Sequence, residues 1–416
     1  MGFSTHDKNI LRGLARQAAE LAADPIMAER RRRWVEHNSL RSTYPMMLVF
    51  PEGAWGELST AFTQQCESEA AQRIEWSLWV RLYTARHFDD DTVLEAEWVE
   101  NAVLSDTGWG LSPVTHLPDA ARGAYEIEAV MAEYADIRKL RHPDLIYDEA
   151  ATRQNLEQAH DLFGDILTIR PKGRAHTSYH LASQYIFLRG LNNFLLDMAD
   201  APQFVHEMMA FFEAGHHRLR QQLIDLNLFS LNNDSTYHSS GGNGYTDELP
   251  AAGFDPQRVR PCDLWASAES QEMAVVSPRM HAAFVMPYEA RLLEPFGLTG
   301  YGCCEDLTRK LDDVVKLPHM RRISVSPFAD VDRCAEKLRG NFIFSWKPNP
   351  AHLVGEFDLA AIEAYVRHTV EVCQANGCVL EMILKDTHTC EGRVERFDLW
   401  TQTARRVIQE MVGEGG

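Results

Sequence analysis

Phe296-Gly297-Leu298-Thr299-Gly300-Tyr301-Gly302-Cys303-Cys304-Glu305 is the stretch that decides the fold. Its first seven residues form a short apolar run that reads as a buried strand. Its last three place two thiols and a carboxylate just beyond the strand's end. Leu307, Leu311, Val314 and Val315 then recur at helical spacing until Pro318 ends the helix. The pattern repeats downstream, with strands at 322–325, 342–346 and 378–384. Helices follow at 331–338, 357–374 and 397–411, and Gly377 is a helix cap. Strands alternating with helices imply βαβ units and a parallel sheet.

Upstream, residues 167–170, 226–231 and 264–268 read as further strands, and 204–228 and 278–293 contain helices. That makes seven strands, and an eighth is sought near 46–50. The first 45 residues read as helices at 10–22 and 27–37. Residues 88–147 carry Trp98, Trp109 and helical spacing but no clear repeat. The simplest account is an α/β chain in which residues 46–416 form one elaborated (β/α)8 TIM-type barrel, with residues 1–45 as an N-terminal helical extension.

Composition narrows the function. The chain has 416 residues, 45% of them hydrophobic, which is enough for a large core and too much for a disordered protein. Its net charge of −19 and lack of a basic stripe argue against nucleic-acid binding. Arg30 to Arg33 is the one basic cluster and reads as a solvated helix face. No run of about 18 apolar residues exists, so no membrane span is expected. The N-terminus lacks the apolar segment of a signal peptide. Eight cysteines without framework spacing fit a reduced, cytoplasmic enzyme. A homodimer is left open.

The chemistry sits past strand ends, where a β/α barrel keeps its active site. A second stretch, Lys385-Asp386-Thr387-His388-Thr389-Cys390, follows the strand at 378–384. One thiolate from Cys303 or Cys304, with His388 and Cys390, would make three zinc ligands and leave a fourth position open, as in catalytic zinc sites. The blander reading is that these cysteines are core residues and His388 a cap. Glu269 follows the strand at 264–268. Asn232, Asn233 and Asp234 follow 226–231, and their loop runs through His238, Gly241 and Gly242. That loop suits either close backbone approach to a ligand or an ordinary turn. Lys347 is aimed by Pro348 and Pro350. Arg174 and His176 could bind an anionic group or be plain surface residues. The substrate-binding set is therefore Asn232, Asp234, His238 and Arg174.

Several segments resemble the uroporphyrinogen decarboxylase superfamily, in particular its corrinoid-dependent methyltransferase branch. They are Ser277-Pro278-Arg279-Met280 with Met286-Pro287-Tyr288, Tyr301-Gly302-Cys303-Cys304-Glu305, and Ser324-Val325-Ser326-Pro327-Phe328-Ala329-Asp330. Phe344-Ser345-Trp346-Lys347-Pro348-Asn349-Pro350 and Leu384-Lys385-Asp386 complete the set, with the helical pattern around Gly190, Leu196, Asp200 and Pro202. The resemblance covers most of the chain after about residue 150. It implies a (β/α)8 barrel that moves a methyl group between a small methylated donor, a cobalamin on a separate corrinoid protein, and an acceptor. Thiol-methylating members bind zinc through a His-x-Cys pair and a later cysteine. Here that position reads Tyr301-Gly302-Cys303, so the histidine is replaced. Either His388 or Cys390 compensates, or the protein is a zinc-free demethylase, for instance of an aryl methyl ether. Glu269, Tyr301, Glu305 and His388 are then candidate acids for the leaving atom, and Lys347 and Asp386 complete the catalytic set. A decarboxylase of a carboxylated substrate is the alternative, although the family's N-terminal arginine motif is not found. A barrel that only binds a ligand is a third reading.

Overall fold

Seven short apolar runs pair into one parallel sheet in the computed structural model, which describes residues 2–116, 126–238 and 240–413. They are β1 (Met46–Val49), β2 (Ser178–Tyr179), β3 (Trp265–Ala268), β4 (Leu298–Tyr301), β5 (Met320–Val325), β6 (Ile343–Trp346) and β7 (Val379–Leu384). The order is β1-β7-β6-β5-β4-β3-β2, so β2 to β7 lie side by side in sequence order and the first strand lies beside the last. Every residue of β1, β3, β4, β6 and β7 is buried, which is why these strands read as continuous apolar runs.

Alternate residues of a strand face opposite ways, and here the two faces differ in kind. On one, Tyr301, Ile323, Val325, Phe344, Trp346, Leu380, Met382 and Leu384 enter the main apolar core. Helix Leu359–Ala375 covers that face with a buried stripe of Ile362, Val366, Val370 and Cys373. The opposite face is mixed, with a polar cluster among apolar residues such as Ile343, Val379 and Ile383. Ser324, Ser345 and Glu381 are register neighbours across β5, β6 and β7, and Arg322 precedes them. Arg322 Nε lies 3.0 Å from Glu381 Oε1, and both side chains are fully buried.

Two distant segments reach this buried charge. Helix Pro25–Asn38 brings His37 Nε2 to 3.3 Å from Glu381 and sets Asn38 Oδ1 to accept from Arg322 Nη2 at 2.6 Å. The loop after residue 236 brings the Asn243 carbonyl to Arg322 at 3.0 Å and the Ser240 carbonyl to Lys347 Nζ. Gly241 and Gly242 have φ of +127° and +61°, and a Cβ on either would overlap Ser345 or Glu381. The Gly-rich loop therefore makes its close approach to buried side chains of the sheet.

The expected strand at 226–231 is not a strand. Phe229 makes one isolated parallel bridge, to Arg174. The strand expected at 167–170 forms as Thr168–Lys172, but it pairs with Glu97–Asn101 outside the main sheet. The helical spacing at 88–147 is overridden. Two-residue-period ribbons form there, Leu104–Asp106 with Leu145–Tyr147 and Val114–His116 with Glu126–Glu128, and residues 117–125 lie outside the described residues. Arg31, Arg32 and Arg33 are on a helix surface as expected, paired with Glu95, Glu29 and Glu36. Among the described residues, no helix is long and apolar enough to cross a membrane.

Candidate active site

A parallel sheet releases every strand at the same edge, so the residues after the strands meet there. That edge gathers His180 after β2, Glu269 after β3 and Cys303 past β4. Lys347 follows β6, and Lys385 with Asp386 follows β7.

The two cysteines turn rather than extend. Gly302 sits at φ +89°, where a Cβ would crowd Leu307. Glu305 Oε2 accepts the Cys303 N–H at 2.8 Å, and Ser324 Oγ donates to the Cys303 carbonyl at 2.6 Å. The turn brings the two sulfurs within 3.5 Å. The Cys304 thiol faces two acceptors, the Cys303 sulfur and Asp386 Oδ2 at 3.2 Å, and the Lys385 ammonium donates to Cys303 Sγ at 3.3 Å. The Cys304 hydrogen bond, opposed by burial and helped by the Lys385 charge, holds Cys303 below the ordinary thiol range. The same contact pushes Cys304 up, so Cys303 is the more acidic thiol of the pair. Asp386 is left-handed at φ +58°, a conformation that costs a non-glycine residue about 1 kcal/mol or more. Glu52 Oε2 holds it by accepting its N–H at 2.9 Å.

This arrangement gives a spectroscopic expectation. Thiolate absorbance in the far ultraviolet appears below the ordinary thiol pKa in the wild type and is lost in Cys303→Ser. In Cys304→Ala and Lys385→Met it appears at higher pH, because each removes a donor to the Cys303 sulfur. An unshifted titration in both would refute the assignment.

Across the edge, His180 Nδ1 lies 2.8 Å from Glu269 Oε1. Burial pushes the Glu269 carboxyl up, but the His180 hydrogen bond and charge bring it below its usual range. Burial works against a charged His180, yet Glu269 outweighs it and raises the imidazole above its ordinary value. The contact favours the imidazolium–carboxylate form of the pair.

The other sequence-derived candidates scatter. Tyr301 is fully buried behind the sheet, where its hydroxyl donates to Glu289 at 2.8 Å and meets His281 Nε2 at 2.8 Å. Burial raises Tyr301 far above its usual range and lifts Glu289 to about 7. Glu305, also buried and raised, holds the cysteine turn from beneath. Lys347 is buried beside Ser240 and Ser345, and burial lowers it to about 7. Asn232 ties Trp265 to Ala175. Asp234 pairs with Lys172 at 2.7 Å, and His238 is buried against the Trp265 ring. Arg174 lines a separate cavity of about 290 Å³ together with His180.

The zinc set does not assemble. Cys390 turns to Glu57, with its thiol 3.1 Å from Oε2, and exposed His388 lies against Gly53. Their loop is tied to the segment after β1 by the Ala54 N–H and the Thr387 carbonyl at 2.9 Å, which carries both away from Cys303. Among the described residues, no three His, Cys, Asp or Glu side chains gather as a metal site requires. These donors therefore do not fit zinc, and no step runs through it.

Sequence reasoning missed His180 and gave Lys385 no role. A two-residue strand such as β2 is too short to show a period, so nothing marked His180 as a strand-end residue. Lys385 stood one position from Asp386 and could have been found by asking which cation faces the cysteines.

No protein-family model matches the chain, and no curated protein matches it. Among solved structures, it is similar to a methyltransferase from Methanosarcina mazei, with a TM-score of 0.50 and 10% identity. The match covers 91% of this chain and 98% of that one. At that identity the likeness speaks for the fold.

Proposed function

We propose that the chain is a corrinoid-dependent methyltransferase with a (β/α)8 barrel of the uroporphyrinogen decarboxylase type. It takes a methyl group from a small methylated donor, such as an aryl methyl ether, and works with a corrinoid protein. The cyclic strand order and the likeness to a methyltransferase structure support the architecture. The observation that carries the activity is the His180–Glu269 pair across the edge from the Cys303 turn.

The corrinoid supplies the nucleophile in such chemistry, so this chain's tasks are to orient the donor and to manage a proton. The methyl-bearing heteroatom leaves poorly as an anion. Glu269 keeps His180 charged and occupies its Nδ1, leaving Nε2–H to protonate that atom. Lys385 and Cys304 hold Cys303 as a thiolate at the same edge, and Asp386 fixes Cys304.

The test mixes purified protein and candidate methyl donors with cob(I)alamin, free or on its carrier, and follows the cobalamin spectrum. A change that requires both protein and donor is the expected result. The second reading is a decarboxylase, favoured by the arginine cavity beside His180. No methyl transfer from any donor, together with carbon dioxide release from a carboxylated substrate, would select it.

A further inference from the structure

Cys303 and Cys304 are consecutive, yet their sulfurs lie 3.5 Å apart. In an extended segment the two side chains would point to opposite faces. The turn is fixed by Gly302 at φ +89°, by the Cys303 N–H donating to Glu305 at 2.8 Å, and by Ser324 Oγ donating to the Cys303 carbonyl at 2.6 Å. The groups around the pair are those that thiol oxidation uses. The Lys385 ammonium donates to Cys303 Sγ at 3.3 Å, and Asp386 Oδ2 stands 3.2 Å from the Cys304 sulfur as an acceptor for its proton. Cys303 is the more acidic thiol, which suits a nucleophile toward peroxide, and half-buried Cys304 opens the pair to solvent. Two other places in the chain make the contrast. Cys373 and Cys378 also meet, but inside the main apolar core. Cys262, half-buried like Cys304, has the Asp263 carboxylate 4.0 Å from its sulfur in place of an ammonium.

The geometry points to a peroxide-sensitive dithiol, in which Cys303 is oxidised first and Cys304 closes a disulfide with it. The Cys303 thiolate attacks one oxygen of hydrogen peroxide and the O–O bond breaks. Cys303 becomes a sulfenic acid, and the departing hydroxide takes a proton to become water. Cys304 then gives its proton to Asp386 and attacks the Cys303 sulfur. The S–O bond breaks and a second water leaves, so two thiols and one peroxide yield a disulfide and two waters. Consecutive Cα atoms stand about 3.8 Å apart, below the roughly 4.4 Å at which ordinary disulfides begin. The closed ring is therefore strained, and a thiol reductant reopens it by supplying two electrons. The disulfide carries no charge, so Lys385 loses its thiolate partner and Asp386 its thiol donor. This is a reversible modification of the candidate active site, and it stands whether that site transfers methyl groups or releases carbon dioxide.

The test treats the reduced full chain with a few-fold excess of hydrogen peroxide, alkylates the remaining thiols after denaturation, and weighs the peptide that carries both cysteines. In the wild type that peptide should lose both alkylation sites and two hydrogens before Cys262, Cys373 or Cys378 reacts, and dithiothreitol should restore both thiols. In Cys304→Ala a sulfenic acid should persist at Cys303, where dimedone traps it. In Cys303→Ala the peptide should stay unoxidised. Circular dichroism checks that both variants are folded, and the wild-type masses decide the matter if either is not. No thiol loss from this peptide overturns the proposal, whether or not other cysteines react. So does a disulfide from Cys303 or Cys304 to another part of the chain, or dimedone trapping as strong in the wild type as in Cys304→Ala. Trapping at Cys304 in Cys303→Ala, with none at Cys303 in Cys304→Ala, overturns Cys303 as the residue oxidised first.

Discussion

Under the proposed methyl-transfer reading, Glu269→Gln should lower the rate by about 10²–10⁴-fold while the protein stays folded, and it should move the alkaline limb of the rate profile to lower pH. The reason is the His180 contact at 2.8 Å. Burial alone would lower the imidazole pKa, and Glu269 is what raises it. An acid works only while protonated, so activity is lost as pH rises through the raised His180 pKa. With glutamine in place, burial remains and the charge partner is gone, so the loss comes at lower pH. Acidifying the assay should therefore restore part of the variant's rate, which a purely structural defect would not allow. His180→Gln should remove the limb altogether. His388→Gln should leave the rate near wild type, because that ring is exposed beside Gly53. Near-wild-type rates in both His180→Gln and Glu269→Gln would sink the acid assignment.

Arg322→Met costs about 3–5 kcal/mol of stability, because it strands the Glu381 carboxylate in a fully buried site. The side chains of both residues are fully buried, with Nε and Oε1 3.0 Å apart. Burial pushes Glu381 up, but the Arg322 charge, with His37 and Lys347 behind it, holds the carboxyl at about 2. The folded pKa is thus depressed below the unfolded value of about 4.3. That stabilisation is present above pH about 4.3 and is lost as pH falls toward 2. Denaturant titrations at a series of pH values should show this acid loss in the wild type and a weaker one in Arg322→Met. Equal acid slopes, or a cost below about 1 kcal/mol, would show that the pair is not what holds the sheet's polar face.

The strands from residue 264 onward were legible because a parallel sheet buried on both faces leaves an unbroken apolar run in sequence. Residues 342–346 and 378–384 were each read within one residue of the observed strand. The polar face did not blur them, since only Ser345 and Glu381 interrupt those runs. The 226–231 run failed for the opposite reason. It is apolar, but its main-chain bonds go singly to Arg174, and no ladder forms. At the site, the position of a residue after its strand was readable, which is why Glu269, Cys303, Lys347 and Asp386 stand at one edge. Direction was not readable. Tyr301 and Cys303 lie two residues apart, and in an extended chain they would face the same way. The Gly302 turn sends one into the core and the other to the edge. The Glu57 contact that draws Cys390 aside crosses 333 positions, beyond the reach of any local pattern.

The ties between the first helix pair and the sheet also set the order in which this chain can fold. Asn38 meets Arg322 across 284 positions, and His37 meets Glu381 across a longer span. Contacts so far apart carry a large loop-closure entropy and slow the search for the native state. A ribosome must release nearly the whole polypeptide before the partners of residues 37 and 38 exist. Until then the helix Pro25–Asn38 waits with its charged-network residues unpaired. Refolding from denaturant should accordingly be slow and prone to aggregation.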